Sequence, residues 1–420
     1  MEGKIKKVFA HQIFDSRGVP TVEAFVYLDN GILASASVPS GASKGEFEAC
    51  ELRDNVDEYR GKGVLYACKN VNTTLHKALK GKGIDDQELI DGIILNEDNT
   101  ADKSNLGANA TLAVSLACAK AASNCFRLPL YKYLGGSNAR LLPTPMMNII
   151  NGGAHAGNNL DIQEFMIVPS GFQSFTEAMA AGTNIYATLK DILKERGLSN
   201  AVGDEGGFAP DLDSEERALE LICEAIERAG YTPGDNVFIA LDVASSEWAE
   251  SDSYIMPKKQ LNKNSQELAL YYKELINKYP IVSIEDPFSE NDWSAFKDFT
   301  QNNPSLQIVG DDLFVTNKER LRIGIAEGCA NAVLVKPNQI GTLSETLEVI
   351  RIAKMNSYNT IISHRSGETC DTSIADIAVA VNAGQIKAGA PARGERIAKY
   401  NRLLRIERSL YGNGVFGKEL

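Results

Sequence analysis

No cysteine pair is spaced Cys-x-x-Cys, and the seven cysteines, at positions 50, 68, 118, 125, 223, 329 and 370, are odd in number and scattered. Neither a disulfide framework nor a zinc ribbon fits them, and a reducing cytosol suits them. There is no run of eighteen apolar residues, so nothing reads as a bilayer span. Met1-Glu-Gly-Lys-Ile-Lys-Lys7 has no apolar stretch behind its charges, so no export signal is read and a cytoplasmic location is expected. Positive charge is in deficit, 43 Lys and Arg against 55 Asp and Glu, for a net charge of −12. That balance argues against a general nucleic-acid or anionic-membrane binder, though it leaves room for a local basic pocket facing an anionic substrate. Gly-x-x-x-x-Gly-Lys-Ser/Thr is missing, and Gly61-Lys-Gly63 lacks a third glycine and a strand-to-helix turn. The absence of a Gly-x-Ser-x-Gly elbow removes the serine-hydrolase reading.

What the chain does have is a series of short apolar runs that stop at charged residues. Ile281 to Phe288 (Ile-Val-Ser-Ile-Glu-Asp-Pro-Phe) reads as a buried parallel strand that delivers Glu285 to its end, with proline stopping further pairing. Val237 to Asp242 ends at Asp242, Leu306 to Asp312 at Asp311 and Asp312, and Ala332 to Lys336 at Lys336. Thr360 to His364 ends at His364-Arg365, and Gly384 to Lys387 at Lys387. The endpoints 285, 311, 336, 364 and 387 lie 23 to 28 residues apart, one βα unit per step. Serial βα units close most readily into a barrel whose strand C-terminal ends share one face, so charges from different strands converge there. Capping of the following helices explains any one acid at a strand end, but not the set.

Ahead of the barrel, Ile5 to Phe14, Thr21 to Leu28 and Gly31 to Val38 read as an antiparallel meander, with hairpin signals at Asp15–Pro20 and Asp29-Asn-Gly31. Pro39-Ser-Gly-Ala-Ser-Lys-Gly45 is a small-residue loop, either a plain connection or one that moves and approaches a ligand, and helical patterning follows over Glu46 to Arg53. Val64, Ala67, Cys68, Val71 and Leu75 share a helical face, and Leu106 to Ala122 is an alanine-rich helix suited to close packing. Residues 1–130 are thus expected to form an α+β domain, and 140–410 the barrel that carries the site.

Within the barrel, Asn151-Gly-Gly-Ala-His155 sets a histidine after a glycine-rich turn, and the alternation of Asp161 to Val168 sets Gln163 on a face with Phe165 and Ile167. Gly203-Asp-Glu-Gly-Gly207 holds Glu205 between glycines, either a solvated turn or a partly desolvated acid beside a substrate. Asp242, Glu285 and Asp311 are three carboxylates from neighbouring strands without a thiol or imidazole partner, a hard-oxygen set suited to magnesium. Lys336 and Lys387 stand beside them, and a lysine near a divalent cation is expected to have its pKa lowered enough to act as a base, with Glu205 as the acid. The arrangement describes proton removal next to a carboxylate followed by loss of a leaving group, with metal charge stabilising an enediolate.

Ten motifs in one order carry a resemblance over nearly the full chain: Asp15-Ser-Arg-Gly18, Pro39-Ser-Gly-Ala-Ser43, Asn148-Ile-Ile-Asn-Gly-Gly153, Asp161-Ile-Gln-Glu-Phe-Met166, Val202-Gly-Asp-Glu-Gly-Gly207, Val282-Ser-Ile-Glu-Asp286, Gly310-Asp-Asp-Leu313, Asn338-Gln-Ile-Gly341, Ser363-His-Arg-Ser-Gly-Glu-Thr369 and Gly384-Gln-Ile-Lys387. The chain resembles the enolase family. That resemblance implies an α/β fold, a modified (β/α)8 TIM-like barrel preceded by a small α+β capping domain, in a homodimer or ring of dimers. It implies reversible dehydration of 2-phospho-D-glycerate to phosphoenolpyruvate in glycolysis and gluconeogenesis, with a lysine base and magnesium as is general for the superfamily. By position, Lys336 would be the base, and Glu205, supported by Glu164, the acid. His155, Gln163 and His364 would contact substrate, with Lys387, Arg365 and Ser366 on its carboxylate or phosphate. Asp242, Glu285 and Asp311 would hold one magnesium ion, and Ser43 would help close over a second recruited with substrate. The resemblance alone also leaves room for a cell-surface or secreted fraction. Lys44 and Val19 depart from the usual threonine and asparagine. Two other readings stand beside this one: a dehydratase of unphosphorylated acids, which would lack the Ser363-His-Arg-Ser366 constellation, and a non-catalytic binding protein, which would be expected to have lost a base, acid or ligand.

Overall fold

The computed structural model describes residues 3–42, 45–250 and 253–417. β1 (Ile5–Phe14), β2 (Pro20–Leu28) and β3 (Leu33–Ser37) pair antiparallel in that order, as the hairpin signals predict. Gly18 and Gly31 adopt positive φ in the two connections, a conformation that only glycine enters without strain. Helix α1 (Ala108–Cys125) covers the sheet, and Ala110, Ala113, Ala117 and Ala121 are buried where small side chains let it lie close. Residues 65–79 are helical with a wider π turn at Val71–Leu75, and the expected face of Ala67, Cys68, Val71 and Leu75 is buried.

The helix expected over Glu46 to Arg53 does not form; turns and extended chain take its place. Its side chains have long-range partners instead. Arg53 donates to the carbonyls of Pro20 and Lys62 at 2.6 and 2.7 Å, and Glu48 accepts from Arg365. Tertiary bonds of this kind override a weak helical propensity.

Eight strands close into a barrel in chain order: β4 (Thr144–Asn151), β5 (Glu164–Val168), β6 (Phe238–Asp242), β7 (Ile281–Glu285), β8 (Gln307–Gly310), β9 (Ala332–Val335), β10 (Asn359–Ser363) and β11 (Gly384–Lys387). Neighbouring strands run parallel except at β5, which is antiparallel to both β4 and β6. Two helices, α2 (Phe175–Glu195) and α3 (Glu215–Arg228), separate β5 from β6. The barrel is filled by Met146, Met166, Val168, Ala240, Leu334 and Ile361 among others. Near the strand starts, Gln307 and Gln385 donate to one another at 2.8 Å, and Gln307 also donates to Ser283 Oγ at 3.1 Å. These buried amides are satisfied, so that end is plugged and chemistry is left to the other.

The small domain is tied to the barrel near that open end. Ser40 and Gly367 exchange backbone hydrogen bonds of 2.8 and 2.9 Å, and Lys120 meets Asp371 at 2.5 Å. Among the described residues no helix is long and apolar enough to cross a membrane.

Candidate active site

Sheet register brings three acids into one row. Glu164 at the start of β5 lies opposite Asp242 at the end of β6, and Asp242 lies opposite Glu285 at the end of β7. Like charges in such a row repel. Lys387, at the end of β11, reaches across the barrel mouth and bridges all three, at 3.3 Å from Glu164, 2.8 Å from Asp242 and 2.9 Å from Glu285. It is buried, and these carboxylates, Asp242 foremost, outweigh the effect of burial and hold its ammonium charged well above the usual lysine range. Gln163 does not face away with Phe165 and Ile167. The chain bends just before β5, so Gln163 and Glu164 line the same cavity, and Gln163 Nε2 donates to Asp242 Oδ2 at 3.3 Å.

One strand further round, the loop after β8 carries Asp311 and Asp312. Their N–H groups donate to the Asp286 carboxylate at 2.9 and 2.7 Å, so Asp286 shapes the turn that presents them. Asp311 pairs with Lys336 at the end of β9, and Gln339 donates to its other oxygen at 3.0 Å. The lowered lysine pKa expected at Lys336 belongs to a site loaded with a divalent cation, and the protein groups alone act in the opposite direction. Burial pulls it down, but the Asp311 carboxylate in direct contact outweighs burial and holds it above the usual lysine range.

On the far side of the mouth stands Glu205, buried and receiving a hydrogen bond from Asn148 Nδ2 at 3.0 Å. His155 Nδ1 lies 3.7 Å from Glu205 and 3.8 Å from Glu164, so one imidazole faces both carboxyls. Burial, then the Glu205 charge, push Glu164 well above the carboxylate range. Glu205 is drawn below that range in spite of burial, its carboxylate facing the imidazoles of His364 and His155 and the Arg396 guanidinium. Of these two crowded, buried carboxyls, Glu164 is thus the one with the higher proton affinity.

His364, Arg365 and Ser366 follow β10. His364 Nε2 lies 3.6 Å from Glu205 Oε2. Arg365 forms a fork with Glu48 of the small domain, at 3.0 and 3.1 Å, and its charge faces the cavity beside Lys336. Ser366 Oγ accepts from the Ala42 N–H at 2.8 Å, bringing the first part of the small-residue loop to the site. Ser43 and Lys44 lie outside the described residues.

Two further cations support the loop after β10 and were not read from sequence. They lie on α4 (Gly394–Ser409), where Arg396 and Lys399 occupy the buried face with Tyr400, Leu403 and Ile406. Cations inside an otherwise apolar helical stripe are the signal that could have found them. Lys399 donates to Glu368 at 2.7 Å and to the Thr369 carbonyl at 2.5 Å, while Glu368 accepts from the Arg365 N–H at 3.2 Å. Breaking a buried pair on one side strands the other charge. Lys399→Met is therefore expected to lower stability by ~3–5 kcal/mol, read as a lower urea midpoint with an unchanged slope. A loss below ~1 kcal/mol, the range of a solvent-screened surface pair, would remove the pair from the loop's support.

Residues 5–134 match the family description Enolase, N-terminal domain, and residues 139–419 match Enolase, C-terminal TIM barrel domain. The chain belongs to the enolase family. It is thus an enolase-family dehydratase, with a small N-terminal domain before an α/β barrel.

The donor chemistry of this enolase-family site fits a hard cation. Glu164, Asp242, Glu285, Asp286 and Asp311 are all buried, and burial first, then neighbouring negative charge, raises the proton affinity of Glu285 and Asp286 and pushes Asp312 up to about 8. Among the described residues, Gln163 Oε1 and Glu164 Oε2 are buried acceptors without a hydrogen-bond partner. An oxygen-rich site with surplus negative charge suits magnesium or a similar ion. Among the described residues, the groups with ligand atoms all within 4.8 Å are Asp286, Asp311 and Asp312, and separately His155, Glu164 and Glu205. Asp242, Glu285 and Asp311 do not form such a set, because Lys387 bridges the first two and Lys336 takes the third.

Proposed function

We propose that this chain reversibly dehydrates 2-phospho-D-glycerate to phosphoenolpyruvate, the glycolytic step of the family. The observation that carries the reading is a single cavity walled on one side by Lys336 and on the other by the Glu164–Glu205 pair, with acids and Lys387 between them. Lys336 removes the C2 proton. Glu205, with Glu164 beside it, delivers a proton to the departing C3 hydroxyl, and His155 faces both carboxyls. Gln163 and His364 orient the substrate, while Arg365 and Ser366 take its phosphate, a role for which a planar, always-charged guanidinium is suited. Lys387, held by three carboxylates, keeps the acid row together and faces the substrate carboxylate. General acid–base catalysis supplies ~10²- to 10⁴-fold, so electrostatic stabilisation must provide much of the rest. Magnesium held by Asp242, Glu285 and Asp311, with a second ion recruited with substrate, would offset the charge building on the substrate carboxylate and take the Asp311 charge off Lys336.

The test is the ultraviolet rise of phosphoenolpyruvate from purified protein and 2-phosphoglycerate. Turnover is expected with magnesium and not after chelation, and unphosphorylated glycerate is expected to be inert. A folded, magnesium-loaded protein that ignores 2-phosphoglycerate but dehydrates an unphosphorylated sugar acid would put the chain with the other acid dehydratases.

A further inference from the structure

We propose that Arg396 is a positioning residue: by donating to His364 Nδ1 it confines that ring to the neutral tautomer whose proton sits on Nε2 and faces Glu205. The catalytic consequence, though not the tautomer, rests on the dehydration reading above.

The argument begins with what a guanidinium can do. It has five N–H donors and no acceptor, and it stays charged in proteins. Arg396 Nη1 lies 2.6 Å from His364 Nδ1 and donates to the Arg365 carbonyl at 2.6 Å, while Nη2 donates to the carbonyls of Asp204 at 3.2 Å and Ser366 at 2.5 Å. The four Nη hydrogens therefore have four acceptors. Since arginine cannot accept, His364 Nδ1 must, and the ring's one proton goes to Nε2. A charged imidazolium would set an Nδ1–H against the guanidinium donor. Burial, and the positive charge of Arg396 against the pull of Glu205, push His364 well below the usual histidine range, in keeping with a neutral ring.

The placement is built into the fold. Arg396 is fully buried on the first turn of α4. A Cβ at Gly389, whose φ is +84°, would lie 2.9 Å from Arg396 Cδ and 3.1 Å from His364 Cε1, so the glycine leaves room for the contact. Among the described residues His364 Nε2 is buried without a hydrogen-bond partner, which leaves its proton for a group in the cavity. The same guanidinium fixes the chain before Glu205 and the carbonyls of Arg365 and Ser366. It thereby holds the acid and the phosphate-facing pair in register.

The experiment is nitrogen-15 NMR of histidine-labelled protein with magnesium. The chain has four histidines, and the His364 resonances are assigned by their loss in His364→Gln. In the wild type, His364 is expected to be neutral near pH 7, with Nδ1 unprotonated and Nε2 protonated. An Nδ1–H tautomer or an imidazolium there overturns the proposal without any variant. Arg396→Met is expected to mix the tautomers and to lower kcat for 2-phosphoglycerate by ~10- to 100-fold, the scale of a small misplacement at the reacting centre, with KM changing less. Arg396→Lys, which keeps a donor and a charge, is expected to retain the Nε2–H form and to recover part of the lost kcat. An Arg396→Met protein that keeps both the tautomer and a turnover within about twofold of wild type overturns the role. Where Arg396→Met does not fold, the wild-type spectrum and Arg396→Lys decide: a lysine variant that loses the Nε2–H form while kcat is unchanged also overturns it. Wild type inert on 2-phosphoglycerate but showing the expected His364 spectrum removes the dehydration reading and supports the tautomer.

Discussion

Lys336→Met is expected to lower 2-phosphoglycerate turnover by ~10³- to 10⁴-fold, the upper range for loss of a positioned base. Methionine keeps most of the side-chain length and fills the space, so the loss reports the amine and not a cavity. Among the described residues no other amine can take its place. Lys387, the other described lysine lining the cavity, is pinned by Glu164, Asp242 and Glu285. Asp311 keeps its bond from Gln339 at 3.0 Å and its N–H on Asp286, so its position should survive the change. Uptake of solvent deuterium at C2 of unreacted substrate is expected to vanish together with turnover. Retained exchange, or turnover within about tenfold of wild type, would take the base role away from Lys336.

Glu205→Gln is expected to divide the two half-reactions. The amide is nearly isosteric and can still accept from Asn148 Nδ2, but it has no proton to deliver to a leaving hydroxyl. Dehydration should fall by ~10²- to 10⁴-fold while C2 exchange stays within about tenfold, because proton removal on the Lys336 side does not need this acid. Equal loss of both would mean that Glu205 acts on the first step or on binding. Unchanged dehydration would move the acid role to Glu164, which carries the higher proton affinity of the pair.

Strand ends and their spacing were legible because a buried parallel strand is written as an apolar run and its charged terminus is conspicuous in such a run. Glu285, Asp242, Lys336 and Lys387 sit at the ends of β7, β6, β9 and β11 or immediately after them for that reason. The reversal of β5 was not legible from its residues. Glu164 to Val168 is a short apolar run, and such a run reads the same in either direction. Arg396 was missed because an arginine is ordinarily solvated even where it shares a helical stripe with Tyr400, Leu403 and Ile406, and what that face packs against is set by the fold. The helix expected over Glu46 to Arg53 failed for a related reason. Its charged residues are committed to partners that lie far away in sequence, which no local window can detect. The direct contact of Lys336 with Asp311 was likewise not legible, since it is a matter of ångströms that spacing along a chain does not carry.

The reversed β5 sets a limit on how this site can be diversified. Side chains presented by the loops after the parallel strands can be altered by lengthening or exchanging a loop, since a surface connection absorbs insertions without disturbing the ladder. Glu164 comes from the beginning of a strand, opposite Asn151 on one neighbour and Asp242 on the other, so sheet register alone places it. A slip of one residue there would send Glu164 outward and bring Phe165 to the mouth. Half of the acid pair is therefore closed to variation by loop grafting, and a library that reshapes the mouth must treat residues 164–168 as framework.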